Sequence, residues 1–186
     1  SVDGDTSTND MVCILANGLA GNQKIVDEGP EYKIFTQALN SVTVYFSKMI
    51  AADGEGATKL LECIVTGATS KTDARKIAKS VISSSLVKAA FFGADANWGR
   101  ILSAVGNSGA EVDLSDIQIA LKSKQGEIVV CENGMGVDFS EELAKEILLE
   151  ENITILITLN QGADSAIAWG CDLTYDYVKI NGDYRT

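Results

Sequence analysis

The chain has 186 residues, of which 46% are hydrophobic, and a net charge of -11. A chain of this size can bury a real core, so we expect one domain or one domain plus a small lobe. The acidic charge disfavours nucleic acid and anionic membrane surfaces as partners, because both are negatively charged. The sequence contains no histidine, which excludes Ser-His-Asp and Cys-His catalysis within this chain.

Two further features of composition bear on location and metals. No apolar run reaches the roughly 20 residues needed to cross a bilayer, and the polar start at residues 1–10 is unlike a signal peptide. We therefore expect no membrane partner and a cytoplasmic protein. With neither histidine nor CxxC spacing, a zinc site is disfavoured, and we interpret the cysteines as small buried hydrophobic residues. They are Cys13, Cys63, Cys131 and Cys171.

The first ten residues are typical of turns and helix caps. Thr8, Asn9 or Asp10 is predicted to cap a short helix through Ala16, because such side chains accept hydrogen bonds from free amides at helix starts. The D-x-D pattern at residues 3–5 has a weaker interpretation as a calcium site. An EF-hand loop needs further acids, a glycine at its sixth position and a glutamate at its twelfth, and these are missing.

A long helix is predicted from about Glu31 to Ala51, directly after the only proline of the chain. Its apolar residues recur at steps of three and four and lie on one face. They are Phe35, Leu39, Val42, Phe46 and Met49.

The stretch from Ile50 to Lys59 follows this helix and carries two acids among small residues. Gly54 and Gly56 let the backbone turn sharply or approach a ligand closely, and Glu55 lies between them. The bland alternative is an ordinary helix-to-strand turn in which the acids are solvated.

The remaining chain alternates strand and helix patterns. The predicted strands are Leu60–Val65, an alternating strand around Ile119, Glu127–Cys131 and Ile153–Leu159, with Gln125-Gly126 as a hairpin turn. The predicted helices are one capped by Thr72 or Asp73 and ending near Ser83, one capped by Asn97 or Asp95 and ending near Gly106, one from Ser140 to about Leu149, and a final one capped by Asp172.

The helix start near Trp98 has two interpretations. Arg100 in its first turn and the free amides there are suited to an anion. Alternatively, Trp98 anchors the core and Arg100 pairs with an acid. The overall pattern predicts an α+β fold with mostly antiparallel strands.

Several long strings together resemble the ornithine acetyltransferase family, also called glutamate N-acetyltransferase, over essentially the whole chain. They are SVDGDTSTND (1–10), GPEYKIFTQAL (29–39), AADGEGATK (51–59), ADANWGRI (94–101) and WGCDLTYDYVKINGDYRT (169–186). The resemblance implies the fold of self-cleaving N-terminal-nucleophile enzymes of the DmpA and ornithine acetyltransferase type. It further implies a nucleophile-domain portion at residues 1–110 and a smaller lobe at residues 111–186, whose tail returns to the active site.

The implied activity is a step of arginine biosynthesis in which an acetyl group moves from N-acetylornithine to glutamate. Some members of the family also use acetyl-CoA. The precursor cuts itself and frees a threonine nucleophile, which lies upstream of SVDGDTSTND, so no catalytic residue is expected in this chain. The expected partners are the alpha chain and the upstream, nucleophile-bearing segment, in an assembly of two alpha and two beta chains. No cofactor is expected.

The residues implied to bind substrate are Glu55, Asn181 and Thr186. Glu55 would hold the ammonium of N-acetylornithine, and the other two would make neutral hydrogen bonds. Asp95, Asn97 and Arg100 would border the site or brace its loop. Two alternatives remain open: an N-terminal-nucleophile amidohydrolase or aminopeptidase that passes the acyl group to water, and a catalytically silent fragment that binds an amino acid.

Overall fold

A computed structural model of the chain describes residues 1–184. Helices and strands begin at residue 30 and continue to the end of the described chain. The helices are α1 Pro30–Ala52, α2 Lys71–Ser83, α3 Ser85–Phe92, α4 Trp98–Gly106, α5 Glu141–Leu148 and α6 Tyr175–Asp183. The strands are β1 Leu60–Ala68, β2 Gln118–Ser123, β3 Gly126–Glu132, β4 Met135–Gly136, β5 Asn152–Thr158 and β6 Asp164–Cys171.

The strands form one mixed sheet in the order β4-β3-β2-β5-β1-β6. The pairing of β1 with β5 is parallel and the other pairings are antiparallel, so the predicted α+β class with largely antiparallel strands is confirmed. Leu60 pairs with Asn152 on one side and with Cys171 on the other. The start of β1 and the end of β6 therefore share one edge of the sheet, where the loop before β1 meets the helix after β6.

The main core lies on one face of this sheet. Successive strand residues point to opposite faces, and Leu61, Cys63 and Val65 of β1 are fully buried on the face that α2 covers. Helix α5 packs against β2 and β3 in the same way. On the other face, α1 contacts β6 and β1, and Lys48 forms a 2.9 Å ion pair with Glu62.

The long helix is where the sequence predicts it, but its apolar stripe does not face the sheet. Val44, Lys48 and Ala51 are the less exposed residues of its second half. At roughly 100° per residue, Phe35 and Phe46 lie on the opposite side of the helix. Their side chains are 58% and 56% exposed. The stripe that predicts the helix therefore covers no part of the described core.

Most of the other predicted elements are confirmed, including the hairpin, α4, α5 and β5. The predicted short helix through Ala16 is wrong, since residues 9–17 have no regular secondary structure. A helix of that length is unstable unless one of its faces is buried, and this segment is exposed. Cys13 is exposed as well, against the prediction, whereas the other three cysteines are buried as predicted.

Two predicted caps are also wrong. Ser70 rather than Thr72 or Asp73 caps α2, and its Oγ accepts a 3.0 Å hydrogen bond from the Asp73 amide. Thr174 rather than Asp172 caps α6. Asn97 caps α4, as one of the two predictions had it.

The residues around the start of α4 are occupied with local contacts. Trp98 packs against the core, as predicted for an anchor. Arg100 donates a 3.0 Å hydrogen bond to the Leu86 carbonyl, and its predicted pairing with an acid is not found within residues 1–184. Asn97 donates to Asp95, so this cluster braces its own turn.

Three other expectations concern the whole chain. The division into residues 1–110 and 111–186 stays a prediction. Of the helices described, none has the length and apolar character needed to cross a membrane. In the same part of the chain, no three acidic or cysteine side chains are grouped so that they could hold a metal ion.

Candidate functional site

The loop between α1 and β1, residues 53–59, lies against the start of α6, at the edge of the sheet where β1 begins. We call it the glycine loop. Gly56 has φ +65°, which few side chains tolerate. A Cβ added to it would lie 2.8 Å from the Asp176 Cβ and 2.9 Å from the Tyr177 nitrogen. The glycine therefore permits the predicted turn and also a close approach to α6, whereas the predicted approach to a ligand stays a prediction.

The side chain of Asp172 holds the second half of this loop. It is only 3% exposed, and its Oδ1 accepts hydrogen bonds from the Thr58 amide at 2.8 Å and the Lys59 amide at 2.9 Å. Its Oδ2 accepts from the Thr58 hydroxyl. Hydrogen bonds to a buried carboxylate are stronger than those between neutral groups, so Asp172 fixes the loop where it enters β1.

Thr174 links the middle of the loop to α6. Its hydroxyl donates a 2.8 Å hydrogen bond to the Gly56 carbonyl. The same oxygen accepts a 3.1 Å hydrogen bond from the Tyr177 amide and so caps α6. One buried hydroxyl thus ties the glycine loop to the helix that carries Asn181.

Glu55 and Asn181 are brought together by this arrangement. The Asn181 Nδ2 donates to the Glu55 Oε2 at 3.3 Å across 126 positions of sequence, and it also donates to the Tyr177 carbonyl at 3.1 Å. Glu55 is exposed and remains accessible to a ligand. Thr186, the third residue predicted to bind substrate, lies outside the described residues.

Asp3 and Tyr177 add a contact that the sequence does not predict. The Tyr177 hydroxyl donates a 2.8 Å hydrogen bond to the Asp3 Oδ2, which raises the pKa of Tyr177 to about 12. The pKa of Asp3 is lowered, first by a hydrogen bond from the Asp5 amide and then by that of Tyr177. The string SVDGDTSTND thus supplies an acid to the same helix face that carries Asn181.

The side chains at the site suit a cationic ligand. Glu55 and Asp3 are carboxylates at this edge, and both favour the neutral phenol of Tyr177. Two lysines beside the loop are already engaged: Lys59 donates at 2.6 Å to the Phe91 carbonyl, and buried Lys88 donates to the Cys171 carbonyl. Burial lowers the pKa of both lysines. The arrangement can bind an ammonium and offer an amide hydrogen bond.

An open groove elsewhere on the molecule is separate from this site. It has a volume of about 410 Å³ and is lined by polar residues that include Asp116, Glu132 and Asn160. Because β1 and β5 are parallel, the groove at the end of β5 lies at the opposite edge of the sheet from Glu55. We therefore place the candidate site at the glycine loop.

The sequence model described as the ArgJ family matches residues 1–186. The chain belongs to the ArgJ family. This is the ornithine acetyltransferase family that the sequence resembles, so that prediction is confirmed.

Individual ArgJ relatives agree with this assignment. Over all 186 residues the chain is 56% identical to the arginine biosynthesis bifunctional protein ArgJ 1 of Clostridium acetobutylicum and 47% identical to ArgJ of Bacillus subtilis. It spans 46% and 45% of their lengths, corresponding to their C-terminal part. The crystal structure of ArgJ from Bacillus halodurans is 48% identical with a TM-score of 0.92, over 99% of this chain and 85% of that one.

The contact between Asp3 and Tyr177 predicts a measurable change in ionisation. Asp3→Asn removes the charge that disfavours the phenolate, so the pKa of Tyr177 is expected to fall from about 12 towards the ordinary value of about 10. The titration can be followed by NMR of ring-labelled tyrosine, with Tyr177→Phe to assign the signal.

The matched control is Asp5→Asn, which removes the same charge two residues away. It is expected to leave the pKa of Tyr177 nearly unchanged, because Asp5 is the smallest of its causes. Equal pKa values in Asp3→Asn and the unmodified protein would contradict the assignment.

Proposed function

We propose that this chain is the C-terminal part of the second chain of a glutamate N-acetyltransferase, and that it forms the ammonium-binding side of the active site. The observation that carries the proposal is the contact between Glu55 and Asn181. These residues are 126 positions apart in the sequence, and the fold brings the Asn181 Nδ2 to within 3.3 Å of the Glu55 Oε2. Membership of the ArgJ family and the names of its relatives, which refer to arginine biosynthesis, support the proposed acetyl transfer.

The chemistry of N-acetylornithine fits this site. Its δ-ammonium is the cation that the exposed Glu55 carboxylate would hold, and Asn181 orients that carboxylate from the side. Thr186 would supply a further neutral contact. The attraction between a carboxylate and an ammonium is stronger where water is excluded. The full strength of this contact therefore depends on the partner segments that close the site.

The covalent steps belong to the upstream threonine. Its hydroxyl attacks the acetyl carbonyl, the C–N bond of the acetamide breaks, and ornithine leaves as the amine after taking a proton. The α-amine of glutamate then attacks the acetyl ester, which gives N-acetylglutamate and restores the threonine. Use of acetyl-CoA as a second acetyl donor rests on the family resemblance alone and is part of this proposal.

The N-terminal quarter of the chain supports the proposed partners. Residues 11–15 are apolar and have no regular secondary structure, and Val12 and Leu15 are 87% and 92% exposed. The apolar stripe of α1 is exposed as well. Its large side chains are Ile34, Phe35, Leu39, Val42, Phe46, Met49 and Ile50.

Large apolar side chains exposed in this number mark an interface. We propose that the upstream part of the precursor covers it, because the chain accounts for less than half the length of its relatives. The cytoplasmic location and the assembly of two alpha and two beta chains follow from the resemblance and are part of the same proposal.

The proposed reaction can be tested by intact-mass analysis of the full-length, self-processed protein after brief exposure to N-acetylornithine. We expect a companion chain that begins with threonine and is heavier by one acetyl group, and we expect N-acetylglutamate when glutamate follows. Acetate instead of N-acetylglutamate would identify a hydrolase. Companion chains that never become acetylated would contradict the proposed transfer.

Glu55→Gln is expected to lower kcat/KM for N-acetylornithine in the full-length enzyme by about tenfold or more, through a higher KM. The reason is the loss of the charge that holds the ammonium. Steady-state kinetics with N-acetylornithine varied at saturating glutamate measure the effect.

The control for this variant is Asp53→Asn, which removes an equal charge from the same loop. The Asp53 side chain makes no hydrogen bond within the described chain, so kcat/KM should stay within about twofold. An unchanged kcat/KM in Glu55→Gln would sink the assignment of Glu55.

Assembly through α1 is expected to fail when its stripe carries a charge. Phe46→Glu should reduce recovery of this chain with a tagged, coexpressed upstream half by about fivefold or more, since the carboxylate would be buried unpaired. Leu86→Glu on α3 is the control, because Leu86 is equally exposed at 62% but lies outside α1. If Phe46→Glu instead only abolishes self-association of the chain, the stripe joins two copies and the proposed occupant is wrong.

A further inference from the structure

We propose that Thr174 and Asp172 are positioning residues of the substrate site, and that together they set where Glu55 and Asn181 stand relative to each other. This inference rests on the proposed function, since it concerns how the same site binds the substrate ammonium. Neither residue needs to touch the substrate. We call the pair the Asp172–Thr174 clamp.

The clamp holds the glycine loop at two places on the β1 side of Glu55. Asp172 accepts from the amides of Thr58 and Lys59, after Glu55, whereas Thr174 donates to the Gly56 carbonyl, directly next to it. A loop held at these points leaves the Glu55 carboxylate few positions. The turn within the loop, from the Ala57 amide to the Gly54 carbonyl at 2.9 Å, is too local to orient it against α6.

The clamp also determines the position of Asn181. Thr174 is the N-cap of α6, and the Tyr177 amide that it binds lies one turn before Asn181. The Tyr177 carbonyl in turn accepts a hydrogen bond from the side-chain Nδ2 of Asn181. Losing the cap therefore lets the first turn of α6 fray and moves the Asn181 side chain away from Glu55.

The burial of both residues separates this role from ordinary surface contacts. Asp172 and Thr174 are 3% and 5% exposed, and among residues 1–184 they are the buried polar residues besides Lys88. Asp172 also raises the pKa values of Lys59 and Lys88, against the effect of their burial. A buried polar pair that holds a loop carrying an exposed acid fits preorganisation of a binding site.

The first test compares Thr174→Val with Thr174→Ser in the full-length enzyme. Thr174→Val keeps the shape but loses both hydrogen bonds, and we expect the KM for N-acetylornithine to rise about tenfold with kcat changed by less than about twofold. Thr174→Ser keeps the hydroxyl and is expected to restore KM to within about twofold.

A matched control separates positioning from lost stability. Ser140 caps α5 through the Leu143 amide at 3.2 Å and lies on a different part of the sheet. Ser140→Ala therefore removes an N-cap hydrogen bond without touching the glycine loop, and it should lower the melting temperature but leave KM unchanged. If Ser140→Ala raised KM as much as Thr174→Val, the clamp would be merely structural and the inference would be overturned.

Thr58→Val provides a second route if Thr174→Val does not fold. Thr58 is exposed, and this variant removes only its hydroxyl hydrogen bond to Asp172. We expect a rise in KM of about threefold at constant kcat. An unchanged KM in folded Thr58→Val would then overturn the clamp.

Glu55→Gln in the same series distinguishes this inference from the proposed function. If Glu55→Gln raises KM and Thr174→Val does not, the site is correct and the clamp is wrong. If neither variant raises KM, Glu55 does not hold the substrate. In the double variant, the two effects on KM should combine less than additively, because the hydroxyl acts through Glu55.

Discussion

The buried carboxylate of Asp172 is the group on which the rest of the site depends. It lies in the connection between β6 and α6 and accepts two backbone amides and one hydroxyl from the loop that leads into β1. Without these partners, a carboxylate at this depth would be strongly destabilising. Because β1 lies between β5 and β6, the sheet itself brings this connection and this loop to one edge. The register of the strands therefore determines the geometry of the site.

The two faces of the sheet show how the chain divides its interactions. One face carries the buried core formed with α2 and α5 and is complete within this chain. The other is covered by α1 over β1 and β6, and α1 keeps its apolar stripe on its outer side. The apolar stripe of α1 does not pack on its own sheet, which is typical of a helix that packs between two layers of structure. Membership of the ArgJ family and the fraction of the relatives that this chain spans agree with such a layer.

Sequence patterns predict most of the fold, because its helices and strands have strong periodicity. The position of α1 could be predicted from its stripe, but its orientation could not, since periodicity identifies an apolar face without identifying what covers it. Residues 9–17 illustrate the same limit: their apolar run predicts a helix, yet the segment is exposed and no described part of the chain covers it. Sequence alone does not identify the cap of α6, because Asp172 and Thr174 are both good caps and only the contacts of the folded chain separate them.

Pairing β1 with β5 and β6 has a consequence for the order in which the site forms. Leu60 contacts strands that begin and end about a hundred residues later, so these pairings carry a large loop-closure cost and form late in folding. During synthesis, Glu55 leaves the ribosome long before Asn181 does. The proposed ammonium site is thus completed only at a late stage of folding, and a nascent chain that already displays α1 still lacks it.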